Sequence, residues 1–520
     1  MRAGRLCYGA IAAFSTPPGT RRPPDARRRR VAWTAAAALL AGCFLAQALW
    51  QVAGQDATYD ERHTFGTGAR ILSGGGFSGA ALLHPPLGFY VSGLPLLALA
   101  RAPAADDAHA LLLGRVTSLL VFAVPLLLAV ALWARALFGP AAALTAVALA
   151  AFSPTLLAHA PLITPDLPLT ATGFVAVWLF WRRADGRQAL GWGIALGLAL
   201  LTKVTALLFV GVIVVLALVR ARGGARATLR TLAPGLAAAW LVLNLGYGFT
   251  GLLDWTGKAA LVERIPFRAA RAAAWVAAPF VPLPYLHTVG RQSHVALSGW
   301  PNYLLGEIST DGWPHYYLVA VAVKETLPFL VLMVAAAASL RLARRGWDDE
   351  LALLLPPILF FVVFSLGRVQ IGIRYLLPAF PFLCVFASRL AELPGAVGRP
   401  MRAAVALLLV AHAASTLRTG PDHLAYFNEL AGGPANGYRY LADSNLDWGQ
   451  NRTRAQEWAR AHGAAFEPAT LPEEGLVVVG VNRLLGLTDP GRYQRLRDGY
   501  APVGRVGANW LVFDLGHRPR

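Results

Sequence analysis

The chain has 520 residues, 56% of them hydrophobic and only 14% charged, with a mean hydropathy of +0.50. Those proportions exclude a string of ordinary soluble domains and point to the bilayer as solvent. The net charge of +19 does not signal nucleic acid, because the arginines fall in short groups between apolar stretches and nowhere interleave with aromatics along a soluble face.

Eight arginines lie in the first thirty residues beside Pro17, Pro18, Pro23 and Pro24, so residues 1–30 are expected to be a disordered cytoplasmic tail. The apolar run 31–51 is too long for a signal-peptide core and lacks a small-residue cleavage pattern, which makes it the first span and keeps the N-terminus inside. Just beyond it stand Asp60-Glu61-Arg62-His63, then Gly74-Gly75-Gly76. Two adjacent carboxylates at a membrane surface are either a solvated loop or a general base that takes a hydroxyl proton. His84-Pro85-Pro86-Leu87 opens the run 86–100, which is shorter than the 17 to 25 residues a span needs and suits an interfacial or re-entrant helix. His84 either faces the cavity of Asp60 or stays hydrated at the interface.

Further spans are expected near 111–133, 140–159 and 166–181. Asp166, in Thr164-Pro165-Asp166-Leu167-Pro168, stands at a helix start, where a carboxylate complements the positive end of the helix. The run 189–219 is too long for one ordinary span and carries Lys203 at its middle. It is read as two short helices, 189–202 and 204–219, with an outward turn, an arrangement tolerable only beside a cavity. Spans near 231–249, 316–340, 350–366, 375–391 and 402–417 bring the count to eleven.

This map puts Arg182, Arg183, Arg220, Arg222, Arg344 and Arg345, among other arginines, on the inside, and leaves few cations in the short outer connections. Counting 86–100 as a span would invert that bias for every later loop. The outer pieces are then a loop 52–110, a loop 250–315 and a tail 418–520. The tail has strand-like runs at 476–481 and 510–515 and a polar helical stretch near 448–462, which is expected to be a small extracytoplasmic α/β domain. The transmembrane module is 31–417. The fold class is thus an all-α polytopic membrane protein with about 11 transmembrane helices and that C-terminal domain, in the inner or plasma membrane.

Only three lysines occur, against 44 arginines, and Lys203 and Lys324 lie within apolar stretches. A charge there costs at least about 2.5 to 3.5 kcal/mol, so each either faces protein or water or snorkels to the interface. Arg374, in Gly372-Ile373-Arg374-Tyr375 at the outer mouth of a span, suits a phosphate. Cys7, Cys43 and Cys384 are too few and scattered for a disulfide framework or a thiolate metal site. Asp443-Ser444-Asn445-Leu446-Asp447-Trp448-Gly449-Gln450 is not a calcium loop, since Trp448 and Arg454 occupy the required glycine and glutamate positions. It is expected to be a structured turn, with Trp448 a candidate sugar platform.

Taken in order, Asp60-Glu61, His84-Pro85-Pro86-Leu87, Gly114-Arg115, Ser153-Pro154 with Asp166, Leu201-Thr202-Lys203, Tyr303-Leu304-Leu305-Gly306-Glu307 with Gly312-Trp313, Arg374-Tyr375-Leu376-Leu377-Pro378 and Tyr426 to Pro434 with Asp443 to Gln450 form a pattern. It resembles the polyprenyl-phosphate-dependent, GT-C type glycosyltransferases of the protein mannosyltransferase and aminoarabinose transferase superfamily. The resemblance implies a membrane enzyme that inverts configuration as it moves a sugar from a polyprenyl-phosphate carrier to a hydroxyl of a protein or glycolipid. It implies no cofactor and no metal. It implies Asp60 as the base, Glu61 and Asp166 as positioning groups, Lys203 and Arg374 on the leaving phosphate, and His84, Glu307 and Lys324 as further substrate contacts. Lys324-Glu325-Thr326 departs from the family's lysine, threonine, proline, and His84 stands where the aminoarabinose branch has lysine. A lipid or solute transporter is the competing class, and a catalytically dead glycan-binding relative is a third. The sugar, the acceptor, the carrier length and the oligomeric state are not readable from the residues.

Overall fold

The computed structural model describes residues 24–98, 107–182, 186–220, 224–265, 268–341 and 346–516. Residues 1–23 of the expected disordered tail lie outside them, and from Pro24 onward the chain is already helical. The molecule is mostly helical, with several helices apolar along their length, as a multi-pass membrane protein requires.

Helix α1 (Pro24–Val52) is followed by two short helices, α2 (Tyr59–Thr64) and α3 (Thr67–Leu72). The run from residue 86 forms only α4 (Leu87–Gly93) and one further 3-10 segment, so it does not cross as a span by length. Helix α5 (Ala108–Leu137) is long enough to cross. The expected span 140–159 is instead α6 (Pro140–Ala151) and α7 (Pro154–His159). Between them the Ser153 hydroxyl accepts the Leu156 N–H and Pro154 has no N–H to continue the preceding helix.

Helix α8 (Asp166–Arg182) runs beside α9 (Gly186–Leu200), which also packs on α11 (Gly224–Gly246). Glycine makes that last approach possible: a Cβ on Gly193 would sit 2.3 Å from the Gly235 carbonyl oxygen, and one on Gly235 would meet the Trp192 ring at 2.0 Å. The chain breaks after Leu200 and resumes as α10 (Leu207–Arg220), with Lys203 in the break.

Three helices, α12 (Trp255–Val262), α13 (Arg268–Ala277) and α14 (Leu283–Ser298), and a hairpin of β1 (Asn302–Leu304) and β2 (Glu307–Ser309) follow. The run 316–340 also differs from the single expected span. It forms α15 (Tyr316–Lys324) and α16 (Leu327–Ala338), and the two axes bend by 118°. The Thr326 hydroxyl accepts the Phe329 N–H, and Pro328 begins the new helix without needing a donor. Helices α17 (Trp347–Ser365), α18 (Phe380–Ser388) and α19 (Gly395–Leu417) complete the bundle. At the end of α8 opposite Asp166, the Trp181 indole donates to Asp349, and nearby in sequence Glu350 takes both arms of the buried Arg389 guanidinium at 2.9 and 2.7 Å.

By length and apolarity alone, five helices among the described residues could cross a membrane, or six if the bent α15–α16 pair is one span. The expected eleven exceeds this because α6, α9 and α10 are shorter than a full crossing, α8 has 17 residues, and α17 carries Asp348, Asp349 and Glu350 in its first turn.

After α19 the chain forms several short 3-10 turns, then α20 (Arg452–Ala461) and a four-stranded sheet. Its strands are β3 (Ala465–Phe466), β4 (Leu476–Gly480), β5 (Gly504–Val506) and β6 (Trp510–Asp514), in the order β3-β4-β6-β5 with only the β3–β4 pair parallel. One face of this sheet packs on α20 through Ala455, Ala459, Val478 and Val512. Phe427, Leu441 and Leu446 of the tail belong to the same buried apolar cluster as the helices of the bundle.

Candidate active site

The loop after α1 is held by a carboxylate that faces inward. Glu61 is fully buried and accepts from Arg115 Nε at 2.9 Å and Nη2 at 2.6 Å, from the Ile163 N–H at 2.9 Å, and from the Thr58 N–H and hydroxyl at 2.9 Å each. The remaining Arg115 donors go to the carbonyls of Gln55 and Asp56. Burial pushes the Glu61 carboxyl upward, but the Arg115 charge and these hydrogen bonds outweigh it and hold the group below the usual carboxylate range. One residue back on α2, Asp60 points away from this joint and stays 30% exposed.

The following elements interlock through glycine. A Cβ on Gly68 of α3 would lie 1.7 Å from the Phe89 carbonyl oxygen, and one on Gly93 of α4 would lie 2.4 Å from the Ala69 nitrogen. Gly68→Ala is therefore expected to destabilise the protein by about 1–3 kcal/mol or more, as overpacking does, because backbone and not a flexible side chain must move. The melting temperature in detergent reads this, and an unchanged melt would refute the close crossing.

Asp60 Oδ2 lies 2.9 Å from Arg374 Nη1. The same Nη1 is 3.7 Å from Asp166 Oδ2, whose other oxygen accepts from Lys203 Nζ at 2.7 Å. Four separate pieces of chain thus supply one row of alternating charge: the first loop, the 3-10 segment Ile373–Ala379 that carries Arg374, the start of α8, and the break between α9 and α10. The cations are backed by aromatic faces. Arg374 lies over Trp448 at 4.2 Å and over Tyr375 at 5.6 Å, and Lys203 lies over Tyr375 at 4.7 Å. Arg374 Nε is buried with no hydrogen-bond partner among the described residues.

His84 joins the same group, with Lys203, Asp60, Asp166 and Arg374 as its charged neighbours. Its buried Nδ1 has no partner among the described residues. Burial, then the Lys203 charge, pushes the imidazole down to about 4, so it is neutral at physiological pH.

Five of the sequence-derived residues therefore meet: Asp60, His84, Asp166, Lys203 and Arg374. Glu61 stands behind Asp60 as its support. Lys324 donates to the carbonyls of Leu424 and Asn445 and lies over Phe427, so it ties α15 to the tail. Glu307 is exposed on a two-stranded hairpin formed by residues 302–304 and 307–309. Trp448 offers no open platform, since it is buried and Arg374 occupies a face of the ring. Sequence reasoning gave no role to His159, which meets Trp448 edge-on at 6.0 Å, or to Tyr375 and Asp443. Position beside Arg374 was the signal for Tyr375, whereas nothing local marks His159. Among the described residues, no three histidine, cysteine or acidic side chains are grouped as ligands of one metal ion.

The arrangement puts a partly exposed carboxylate next to two cations whose bonding capacity is not exhausted. It can take a proton from a hydroxyl and hold an anion at the same group of side chains.

Residues 84–246 match the model of the dolichyl-phosphate-mannose-protein mannosyltransferase family. The matched segment contains His84, Asp166 and Lys203. No curated protein sequence matches the chain. Among solved structures, the oligosaccharyltransferase AglB from Archaeoglobus fulgidus, in complex with an inhibitory peptide and a dolichol-phosphate, is similar at 13% identity and a TM-score of 0.43. The alignment covers 73% of this chain, and the chain spans 56% of the archaeal protein. ArnT from Cupriavidus metallidurans bound to undecaprenyl phosphate is similar at 13% identity over 92% of this chain and 97% of that one, with a TM-score of 0.29. The apo form of the same protein gives 16% identity, 94% and 98% coverage, and the same TM-score of 0.29.

Proposed function

We propose, from the match of residues 84–246 to the model of the dolichyl-phosphate-mannose-protein mannosyltransferase family, that this protein is a multi-pass membrane glycosyltransferase. It moves a sugar from a polyprenyl-phosphate carrier to a hydroxyl of a protein or glycolipid, with inversion at the anomeric carbon. The observation that carries the reading is the row Asp60, Arg374, Asp166, Lys203, because it sets a candidate base in one continuous row of ion pairs with two cations.

The reaction is a single displacement. Asp60 accepts the proton of the acceptor hydroxyl as that oxygen bonds to the anomeric carbon. The bond from that carbon to the phosphate oxygen breaks, and both electrons leave with the phosphate. Arg374 and Lys203 neutralise the charge gained there, and their aromatic backing keeps them in position beforehand. Asp166 holds Lys203 at the start of α8, where the helix end favours its own charge. His84, being neutral, contributes a hydrogen bond and no charge.

In this reading the N-terminus is cytoplasmic, eleven segments traverse the membrane with some of them short or broken, and loops 52–110 and 250–315 and the 418–520 domain lie outside. The arginine distribution supports that orientation. Labelling an engineered cysteine at position 60 with an impermeant reagent in intact cells tests the map, and protection from outside would overturn it.

The assay for class uses purified protein with radiolabelled polyprenyl-phosphate sugars and candidate acceptors. A glycosyltransferase moves label to the acceptor in detergent, where no compartments exist, while a flippase or solute transporter needs a sealed bilayer to show activity. The family match favours the enzyme. Arg374→Lys is expected to weaken donor use by about 10- to 100-fold in kcat/KM, since lysine cannot reproduce the planar fork that meets a phosphate. Steady-state kinetics over donor concentration measures it, and an unchanged donor KM and kcat would remove Arg374 from the phosphate site.

A further inference from the structure

The turn that precedes α20 belongs to the tail, yet its hydrogen bonds end on the catalytic loops. The Trp448 carbonyl accepts the Tyr59 N–H at 2.8 Å, one residue from Asp60. Asn445 Oδ1 accepts the Ile373 N–H at 2.9 Å, one residue from Arg374, and the Ser444 hydroxyl donates to the Ile371 carbonyl at 2.6 Å. Asn445 Nδ2 reaches the Tyr316 hydroxyl at 2.9 Å and its carbonyl receives Lys324. A segment read in the sequence as a structured turn carrying a candidate sugar platform is therefore tied by its backbone and side chains to the loops of the site.

Asp443 opens this turn in a left-handed conformation, with φ +55°. Aspartate is one of the few side chains other than glycine found there, and such positions concentrate where a side chain must be aimed. The conformation is fixed from several directions. The Asp443 N–H donates to Asn482 Oδ1 at 2.8 Å, its carbonyl accepts from the N–H groups of Leu446 and Asp447, and its Oδ1 accepts the Ser444 N–H at 2.6 Å. The carboxylate forms no ion pair among the described residues, although Arg374 and Asp60 are its charged neighbours. It is only half-buried.

We infer that Asp443 is a specificity-determining residue that accepts hydrogen bonds from hydroxyl groups of the sugar being transferred. A carboxylate beside a phosphate-holding cation is repelled by the phosphate itself, so the donors it can receive are those next to the phosphate along the ligand. On a polyprenyl-phosphate sugar these are the hydroxyls around the anomeric carbon. Asp60 is engaged with the acceptor, which leaves Asp443 for the donor. The inference rests on the glycosyl-transfer reading above and adds to it a residue outside the matched family segment.

The test compares wild type and Asp443→Asn on a panel of short-chain polyprenyl-phosphate hexoses and pentoses, each also in singly deoxygenated form. Wild type is expected to prefer one parent donor over one of its deoxy analogues by about 10- to 100-fold in kcat/KM, the worth of a hydrogen bond to a charged group. Asp443→Asn is expected to lose that preference to within a few-fold while using the deoxy donor as well as wild type does. Equal losses on parent and deoxy donors would overturn the inference and leave Asp443 a purely structural turn residue. No transfer by wild type from any donor would instead overturn the glycosyl-transfer reading beneath it.

A pH arm separates the two further. Burial raises the Asp443 carboxyl to about 6, with Asp60 and Asp447 adding to the rise and Arg374 and the Ser444 N–H opposing it, while Tyr316 and Tyr375 are the phenols nearby. The parent-to-deoxy preference should therefore grow as pH rises through about 6 in wild type and stay flat in Asp443→Asn. A limb that persists in the variant belongs to another group and counts against Asp443.

Discussion

Asp60→Asn is expected to slow sugar transfer by about 10²- to 10⁴-fold, the usual worth of a positioned general base. The substitution keeps shape and removes the proton acceptor. The side chain is 30% exposed and its Arg374 partner retains Asp166 at 3.7 Å, so no buried charge is stranded and the fold is not at risk. Donor binding should survive, because the phosphate contacts come from Arg374 and Lys203. Single-turnover transfer at saturating donor, with donor binding measured alongside, separates the two. A transfer rate equal to wild type would sink the assignment. Loss of donor binding at an unchanged single-turnover rate would move Asp60 to the phosphate site.

How much of this was open to sequence reasoning follows from which forces act locally. Apolar run length is local, so the helical membrane class and the shortness of the helix after Pro86 were legible. The break at Lys203 was legible too, because a lone lysine in an apolar stretch has few places to go. The bend at Glu325 and Thr326 was missed, although Thr326 and Pro328 spell a helix start, because the run's hydropathy is continuous across them. Within the site, charge at a span's mouth marked Asp60, Asp166 and Arg374, but only the fold could tell Lys203, which reaches Asp166, from Lys324, which reaches backbone carbonyls in the tail. Glu307 entered through a family motif rather than through any physical signal of its own, and the hairpin leaves it exposed. Asp443 was visible as a residue and not as a role, since its meaning depends on contacts between segments some seventy residues apart, such as Asn445 with Ile373.

Glu61→Ala should do more damage to the protein than Asp60→Asn does, although the two residues are neighbours. Removing one member of a buried ion pair costs about 3–5 kcal/mol, because the other charge is left without its partner. Here that charge is Arg115, which is 1% exposed and would keep only the carbonyls of Gln55 and Asp56. The Ile163 N–H and the Thr58 N–H would lose their acceptor as well, so three pieces of chain would come apart at one point. Thermal or denaturant unfolding in detergent measures the loss, and a shift comparable to that of an ordinary surface substitution would contradict the joint.

The paired change Glu61→Leu with Arg115→Met gives the sharper test. Apolar replacement of a whole buried pair is often neutral or stabilising, so it should recover much of the stability lost in Glu61→Ala. It should not recover transfer. Arg115 also fixes Gln55 and Asp56, and through them the approach to α2, so Asp60 would be left on a loop that folds but no longer aims its carboxylate at Arg374. Stability regained without activity would identify the Glu61 and Arg115 pair as positioning residues. If activity returned together with stability, the pair would be serving the fold alone.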